Sequence, residues 1–244
     1  LPPVECRRLL HGAWVREQKA GYFKREWVTF EPYPNLKATK RARCWDLAFS
    51  EPSEARPRVD ATAGVLMSKD QYNIYTVEDC ITLRERVGAV EKAIFETADR
   101  DGRDVIIGLP KDPGATAGAY CQDLARRLGE KGYTVKLIRP ERGKLQRFLP
   151  FASVAEAKFV RIVNSAWTES YVNELEQTEF SNKTHDDMAD ATSDCFWLLN
   201  RGTTIPTMSL SSINISPSSN SQSFLQTYNQ NTGAAFTLPT FNIK

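Results

Sequence analysis

The sequence predicts an α/β fold, a mixed sheet that opens with an antiparallel three-strand meander, continues with parallel strands and is flanked by helices. Two observations carry this. Three runs of strand composition, residues 41–49, 62–67 and 72–79, follow one another with turn-forming residues between them. The hydrophobic period then changes, and helix-like and strand-like segments alternate as far as Asn200.

The first strand alternates cleanly. Side chains in a strand point to opposite faces in turn, so Ala42, Cys44, Asp46 and Ala48 share one face while Trp45, Leu47 and Phe49 share the other. After the meander, residues 87–98 have helical period, 105–109 form a short apolar run, 117–128 are helical again and 133–138 read as a strand. That half is a βαβ arrangement. A helix over 144–157, a short strand over 159–163 and helices over 171–177 and 186–200 complete the series.

On either side of this core the composition differs. Residues 1–40 read as a lead-in: a short helix over 4–14, an aromatic cluster of Tyr22, Phe23 and Trp27 that needs something to pack against, a Pro-containing stretch at 31–34 and a basic run over 37–43. The sequence starts at Leu1 without methionine, and the expectation is a linker within a longer protein. Residues 41–201 form the expected domain. From 202 to 244 the chain is rich in Ser, Asn, Thr and Gln, with no charge until Lys244, and reads as a polar tail. Phe224, Leu225, Tyr228, Phe236, Leu238 and Phe241 make a docking arm the alternative reading of that tail.

Composition narrows the class. A 41% apolar content suffices for a buried core, and a net charge of only +2 means that attraction to nucleic acid would have to come from local basic patches. The five cysteines are scattered without a CxxC pair and there are two histidines, so they read as reduced thiols and not as a zinc site or a disulfide frame. Asn182 and Asn214 head sequons that read as chance matches, since no run is apolar enough for a signal peptide or membrane span.

Acidic residues at three places could share a metal. Asp46 sits within the first strand beside small neighbours, where an unpaired carboxylate is costly to bury; a salt-bridged strand-edge aspartate is the bland alternative. Asp112 follows the buried strand in the loop Gly108-Leu-Pro-Lys-Asp-Pro-Gly114, at the carboxyl end where α/β sheets bind ligands, although Asp-Pro-Gly is also an ordinary turn. The last helix opens with His185-Asp-Asp-Met-Ala-Asp190. Its apolar stripe is Met188, Ala191, Cys195 and Leu198, flanked by Asp187, Asp190 and Asp194. Helix capping accounts for one or two of these acids, not for the whole series. Hard oxygen donors of this kind suit magnesium or manganese, and two such ions can activate a water and steady a leaving oxygen in phosphodiester hydrolysis.

The segments Leu9-Leu-His-Gly-Ala-Trp14, Arg43-Cys-Trp-Asp-Leu-Ala48, Leu109-Pro-Lys-Asp-Pro-Gly-Ala-Thr-Ala-Gly118, Gly143-Lys-Leu-Gln-Arg147 and His185-Asp-Asp-Met-Ala-Asp-Ala191 together resemble the C-terminal nuclease domain of the large terminase subunit of tailed bacteriophages. The resemblance runs over residues 9–199 and implies an RNase H-like fold, which the order of meander and alternating elements also fits. It implies a metal-dependent endonuclease that cuts concatemeric double-stranded DNA during packaging, using two Mg2+ or Mn2+ ions.

The implied ligands are Asp46, Asp112 and Asp187, with Asp186 or Asp190 as a competing or additional ligand. His185 could carry a proton or position a water, or be a helix-entry residue without chemistry. Lys111, Lys144 and Arg147 are the expected phosphate contacts, with solvated surface cations as the alternative. Many relatives have a glutamate two residues before the loop aspartate, where this sequence has Pro110. The implied partners are an ATPase domain whose GxxxxGK[ST] loop this sequence lacks, a small terminase subunit and a portal protein, at the procapsid portal in an infected bacterial cytoplasm, with no membrane. Two competing readings are another RNase H-like nuclease of resolvase or transposase type, and a noncatalytic docking module of the motor.

Overall fold

Alternation along the second strand decides how the sheet is covered. The computed structural model describes residues 21–48, 61–111, 115–139, 142–180 and 186–201. Among these, the strands are β1 (Thr29–Glu31), β2 (Ala38–Asp46), β3 (Thr62–Asp70), β4 (Tyr75–Leu83), β5 (Val105–Pro110), β6 (Val135–Ile138) and β7 (Val160–Val163). The helices are α1 (Val87–Asp101), α2 (Ala115–Glu130), α3 (Lys144–Glu156), α4 (Thr168–Gln177) and α5 (Asp187–Asn200). The strands form one sheet in the order β1-β7-β4-β3-β2-β5-β6.

The meander β2-β3-β4 is antiparallel, while β2 with β5, β5 with β6, β4 with β7 and β7 with β1 are parallel. Only β3 therefore runs against the other described strands. The carboxyl ends of β2, β5 and β6 lie at one edge of the sheet, together with the start of β3.

Ala42 and Cys44 of β2 pack into a core with Phe148 and Phe151 of α3, Tyr171 of α4 and Ala191 and Cys195 of α5. Trp45 and Leu47 pack on the opposite face with Ile94 of α1 and Leu124 of α2. Two apolar layers thus bury both faces of the central strands, the arrangement expected where parallel strands are covered on each side. Gly64 is fixed by this packing: a Cβ there would stand 2.5 Å from the Trp45 ring.

Arg43, on the Trp45 side, is buried at 1% exposure and would be expensive unpaired. Its Nε donates to Asp101 Oδ2 at 2.6 Å, Nη2 to Asp79 Oδ2 at 2.7 Å and Nη1 to the Gly64 carbonyl at 3.1 Å. One guanidinium therefore ties β2, β3, β4 and the end of α1 together. The described cysteines, Cys44, Cys80, Cys121 and Cys195, are buried thiols outside any disulfide.

The lead-in contributes to the fold from Phe23 onward. Phe23 is buried and stacks on Phe151 with centroids 6.1 Å apart, so the aromatic cluster packs on the α3 side of the sheet. Sequence reading assigns no strand before residue 41, yet β1 pairs with β7 through Thr29↔Arg161 to Glu31↔Val163. A three-residue strand is too short for alternation to reveal it. The expected helix over 4–14, both sequons and the polar tail lie outside the described residues.

Candidate active site

The register of β2 and β5 fixes what stands beside Asp46. Parallel pairing runs from Arg41↔Val105 to Cys44↔Gly108, and two residues further along each strand Asp46 comes level with Pro110. On its other side Asp46 pairs with Ala63 of β3. Asp46 shares the face of Ala42 and Cys44, the face on which α5 packs against β2 and β3.

The acids of α5 lie over this edge. Asp186, Asp187 and Asp190 are all buried, at 6%, 7% and 4% exposure. Burial first, and then the nearby charges of Asp190 and Asp187, push the Asp46 carboxyl up to about 8, with Lys144 opposing them. Asp46 from β2 and Asp187 and Asp190 from α5 thus lie close enough for their charges to act on one another.

The α5 acids divide by direction. Asp186, Asp190 and Asp194, spaced four residues apart, face α3 and alternate with its cations. Lys144 Nζ lies 2.7 Å from Asp186 Oδ1 and 2.7 Å from Asp190 Oδ2. Arg147 Nη2 lies 2.7 Å from Asp190 Oδ1, and Nη1 2.7 Å from Asp194 Oδ1. Asp187 turns instead toward β3, where its Oδ2 accepts the Ala61 N–H at 3.1 Å. The helical wheel grouped Asp187, Asp190 and Asp194 as one stripe; in the fold Asp186 replaces Asp187 in the series facing α3.

Burial raises the Asp190 carboxyl even against Arg147 and Lys144. It pushes Asp194 up to about 6, again opposed chiefly by Arg147. Burial also works against the charge on Lys144, but hydrogen bonds to Asp186 and Asp190 outweigh it and hold that ammonium well above its ordinary value. The ladder of acids and bases is a compensated one in which each cation bridges two carboxylates.

The capping explanation for these acids fails on inspection. Asp186 occupies the N-cap of α5 and makes no side-chain capping bond. The Met188 and Ala189 N–H groups are taken by Glu174 Oε1 of α4, at 2.7 and 3.2 Å. Sequence reasoning missed Glu174, although a signal was present. It lies three residues after Tyr171, on the side of α4 that Tyr171 and Leu175 bury.

The predicted site residues are thus sorted. Asp46, Asp186, Asp187 and Asp190 gather at one edge of the sheet. Lys144 and Arg147, expected to face phosphate, are engaged by the aspartates of α5, while Lys111 is exposed just beyond β5. Asp112 and His185 lie outside the described residues. Among the described residues no three His, Cys, Asp or Glu side chains already stand in a metal-ready group. No described helix is long and apolar enough to cross a membrane.

Comparison with known proteins agrees with this architecture. A comparison with curated protein sequences gives no match. Among solved structures, the human cytomegalovirus terminase nuclease domain, Mn soaked and inhibitor bound, is similar with a TM-score of 0.54 at 11% identity, over 74% of this chain and 96% of that one. The large terminase nuclease domain of Thermus phage P74-26 gives 0.48 at 12% identity, over 73% and 94%. The large terminase nuclease of thermophilic phage G20c with bound magnesium gives 0.49 at 13%, over 73% and 97%. At these identities the likeness is one of fold, and the cytomegalovirus domain carries it. The family model described as the terminase RNaseH-like domain matches residues 43–198, more than half of the 244-residue chain, from the buried Arg43 to Leu198 in the last turn of α5. The chain belongs to the terminase RNaseH-like domain family and has the nuclease fold of that superfamily.

Proposed function

We propose that this domain is a divalent-metal-dependent endodeoxyribonuclease that cuts concatemeric double-stranded viral DNA during genome packaging. The observation that supports it most is the crowding of Asp46 by Asp190 and Asp187, which with burial drives its carboxyl to about 8. A carboxylate cluster that resists ionisation on its own is one that a divalent cation would stabilise in charged form. The donors are all hard carboxylate oxygens, which fit Mg2+ or Mn2+ and not a thiolate-seeking metal. Family membership and the manganese-soaked cytomegalovirus domain point the same way.

Asp46 and Asp187 would hold the metal with Asp112, which follows β5 in the sequence, and Asp186 and Asp190 are the further candidates. Two ions bound there would activate a water and stabilise the leaving oxygen of a phosphodiester. The chain's own groups have separate tasks. Lys144 and Arg147 hold Asp186, Asp190 and Asp194 in fixed positions through the ladder. Exposed Lys111 is a cation suited to meet a phosphate. His185, immediately before the acidic turn, would carry or position a proton of the attacking water. The proposed partners are double-stranded DNA, the motor's ATPase domain, a small terminase subunit and a portal protein, and the proposed place of action is the procapsid portal in the cytoplasm of an infected bacterium.

Manganese calorimetry together with linearisation of supercoiled plasmid tests this reading. The wild-type domain is expected to bind manganese and to cut, and Asp46→Asn to do neither while keeping its fold. A wild-type domain that takes up no manganese at millimolar concentration and leaves DNA intact would refute it.

A further inference from the structure

The first turn of a helix leaves several N–H groups without intrahelical partners, and an aspartate at the N-cap ordinarily accepts from the second or third residue that follows it. In α5 that aspartate is Asp186, and the corresponding N–H groups are those of Met188 and Ala189. Both go to Glu174 Oε1, at 2.7 and 3.2 Å. Asp186 points elsewhere, accepting from Lys144 Nζ at 2.7 Å, and Asp187 accepts the Ala61 N–H at 3.1 Å. A carboxylate from another helix has taken the work that the local aspartate is placed to do.

Glu174 is not convenient for packing alone. It lies on the same side of α4 as the buried Tyr171 and Leu175, where a carboxylate is costly unless its oxygens are satisfied. The bonds it makes lie within three residues of three acids that crowd the site, so its effect falls on their orientation.

We propose that Glu174 is a positioning residue of the acidic site: by capping α5 from α4 it keeps Asp186 and Asp187 from capping their own helix and commits both carboxylates to the cluster. This rests on the metal-dependent reading above. Removing Glu174 leaves the Met188 and Ala189 N–H groups open to Asp186, the nearest acceptor by position. Asp186 then turns from Lys144 to the helix end. The helix keeps a cap and the cluster loses its geometry, so metal binding suffers more than stability does.

The test compares Glu174→Ala and Glu174→Gln by manganese calorimetry, thermal melting and amide exchange at Met188 and Ala189. Glutamine retains an acceptor oxygen and alanine does not. The alanine variant is expected to bind manganese about ten-fold or more weakly, the scale typical of groups that orient metal ligands. Its melting point should stay close to wild type and its two amides should remain protected, now by Asp186. The glutamine variant should recover most of the affinity. If Glu174→Ala does not fold, Glu174→Leu fills the same volume without an acceptor and takes its place. Wild-type manganese affinity in the alanine or leucine variant overturns the proposal while leaving the metal reading intact, as does a folded glutamine variant that fails to recover affinity. A wild-type domain that binds no manganese removes both.

Discussion

Lys144 and Asp190 lie 2.7 Å apart, joining the first turn of α3 to the first turn of α5. The same ammonium reaches Asp186, and Arg147 continues the series to Asp194. The cations nearest the proposed centre therefore pair with its acids.

Arg147→Met should accordingly act on stability. It leaves Asp190 and Asp194 buried without their shared cation, and breaking a buried pair costs about 3–5 kcal/mol. Because the Arg147 side chain is 18% exposed, the lower end, about 3 kcal/mol, is expected in denaturant unfolding. The salt dependence of DNA binding should change by less than about one unit of log–log slope, since no phosphate contact is lost. An unchanged unfolding midpoint together with a clearly shallower salt slope would place Arg147 on the DNA.

Asp46 makes the metal-free domain sensitive to pH. Its carboxyl is raised by burial to about 8, against about 4 in an unfolded chain, so the folded state binds the extra proton between those values. Stability contributed by this group is present at low pH and declines as pH rises from about 4 toward 8, by at most about 1.4 kcal/mol for each step of one in pH. Asp46→Asn should abolish cutting and, without metal, raise the melting temperature at pH 8 more than at pH 5. Equal effects at the two pH values would contradict the burial of an ionising carboxyl.

Arg43→Ala should be the most damaging single change away from the site. It removes a 1% exposed guanidinium bonded to Asp101, Asp79 and the Gly64 carbonyl, and leaves the buried Asp101 with the longer 3.6 Å pair to the exposed Arg100. A loss of about 3–5 kcal/mol is expected. Urea midpoints measure it, and a loss below about 1 kcal/mol would mean the network is worth no more than a surface pair.

Pro110→Glu is predicted to strengthen metal binding. The position stands level with Asp46 across the β2–β5 pair, so a carboxylate there would join the cluster from the neighbouring strand. Manganese affinity is expected to rise about ten-fold, on the scale by which ligand-shell changes act. Unchanged affinity in a folded variant would mean that this position faces away from the cluster.

The order of the strands and helices from residue 41 onward, the two faces of β2 and the acids of β2 and of the start of α5 are legible in the bare sequence, because each is a local pattern. Period two separates Cys44 from Trp45, and period 3.6 separates Met188 from its polar neighbours, without knowledge of any partner. The company these residues keep is set by packing alone. The pairing of β1 with β7 joins residues far apart in the chain, through a strand too short to show a period. The division of the α5 acids between α3 and β3, the turning of Lys144 and Arg147 toward carboxylates, and the capping of α5 by Glu174 all depend on how helices settle on the sheet. A lysine beside a glycine reads the same in sequence whether it faces phosphate or aspartate. The choice is made when burial brings Asp190 within reach and leaves its charge in need of a partner, which is a property of the packed fold and not of the residue.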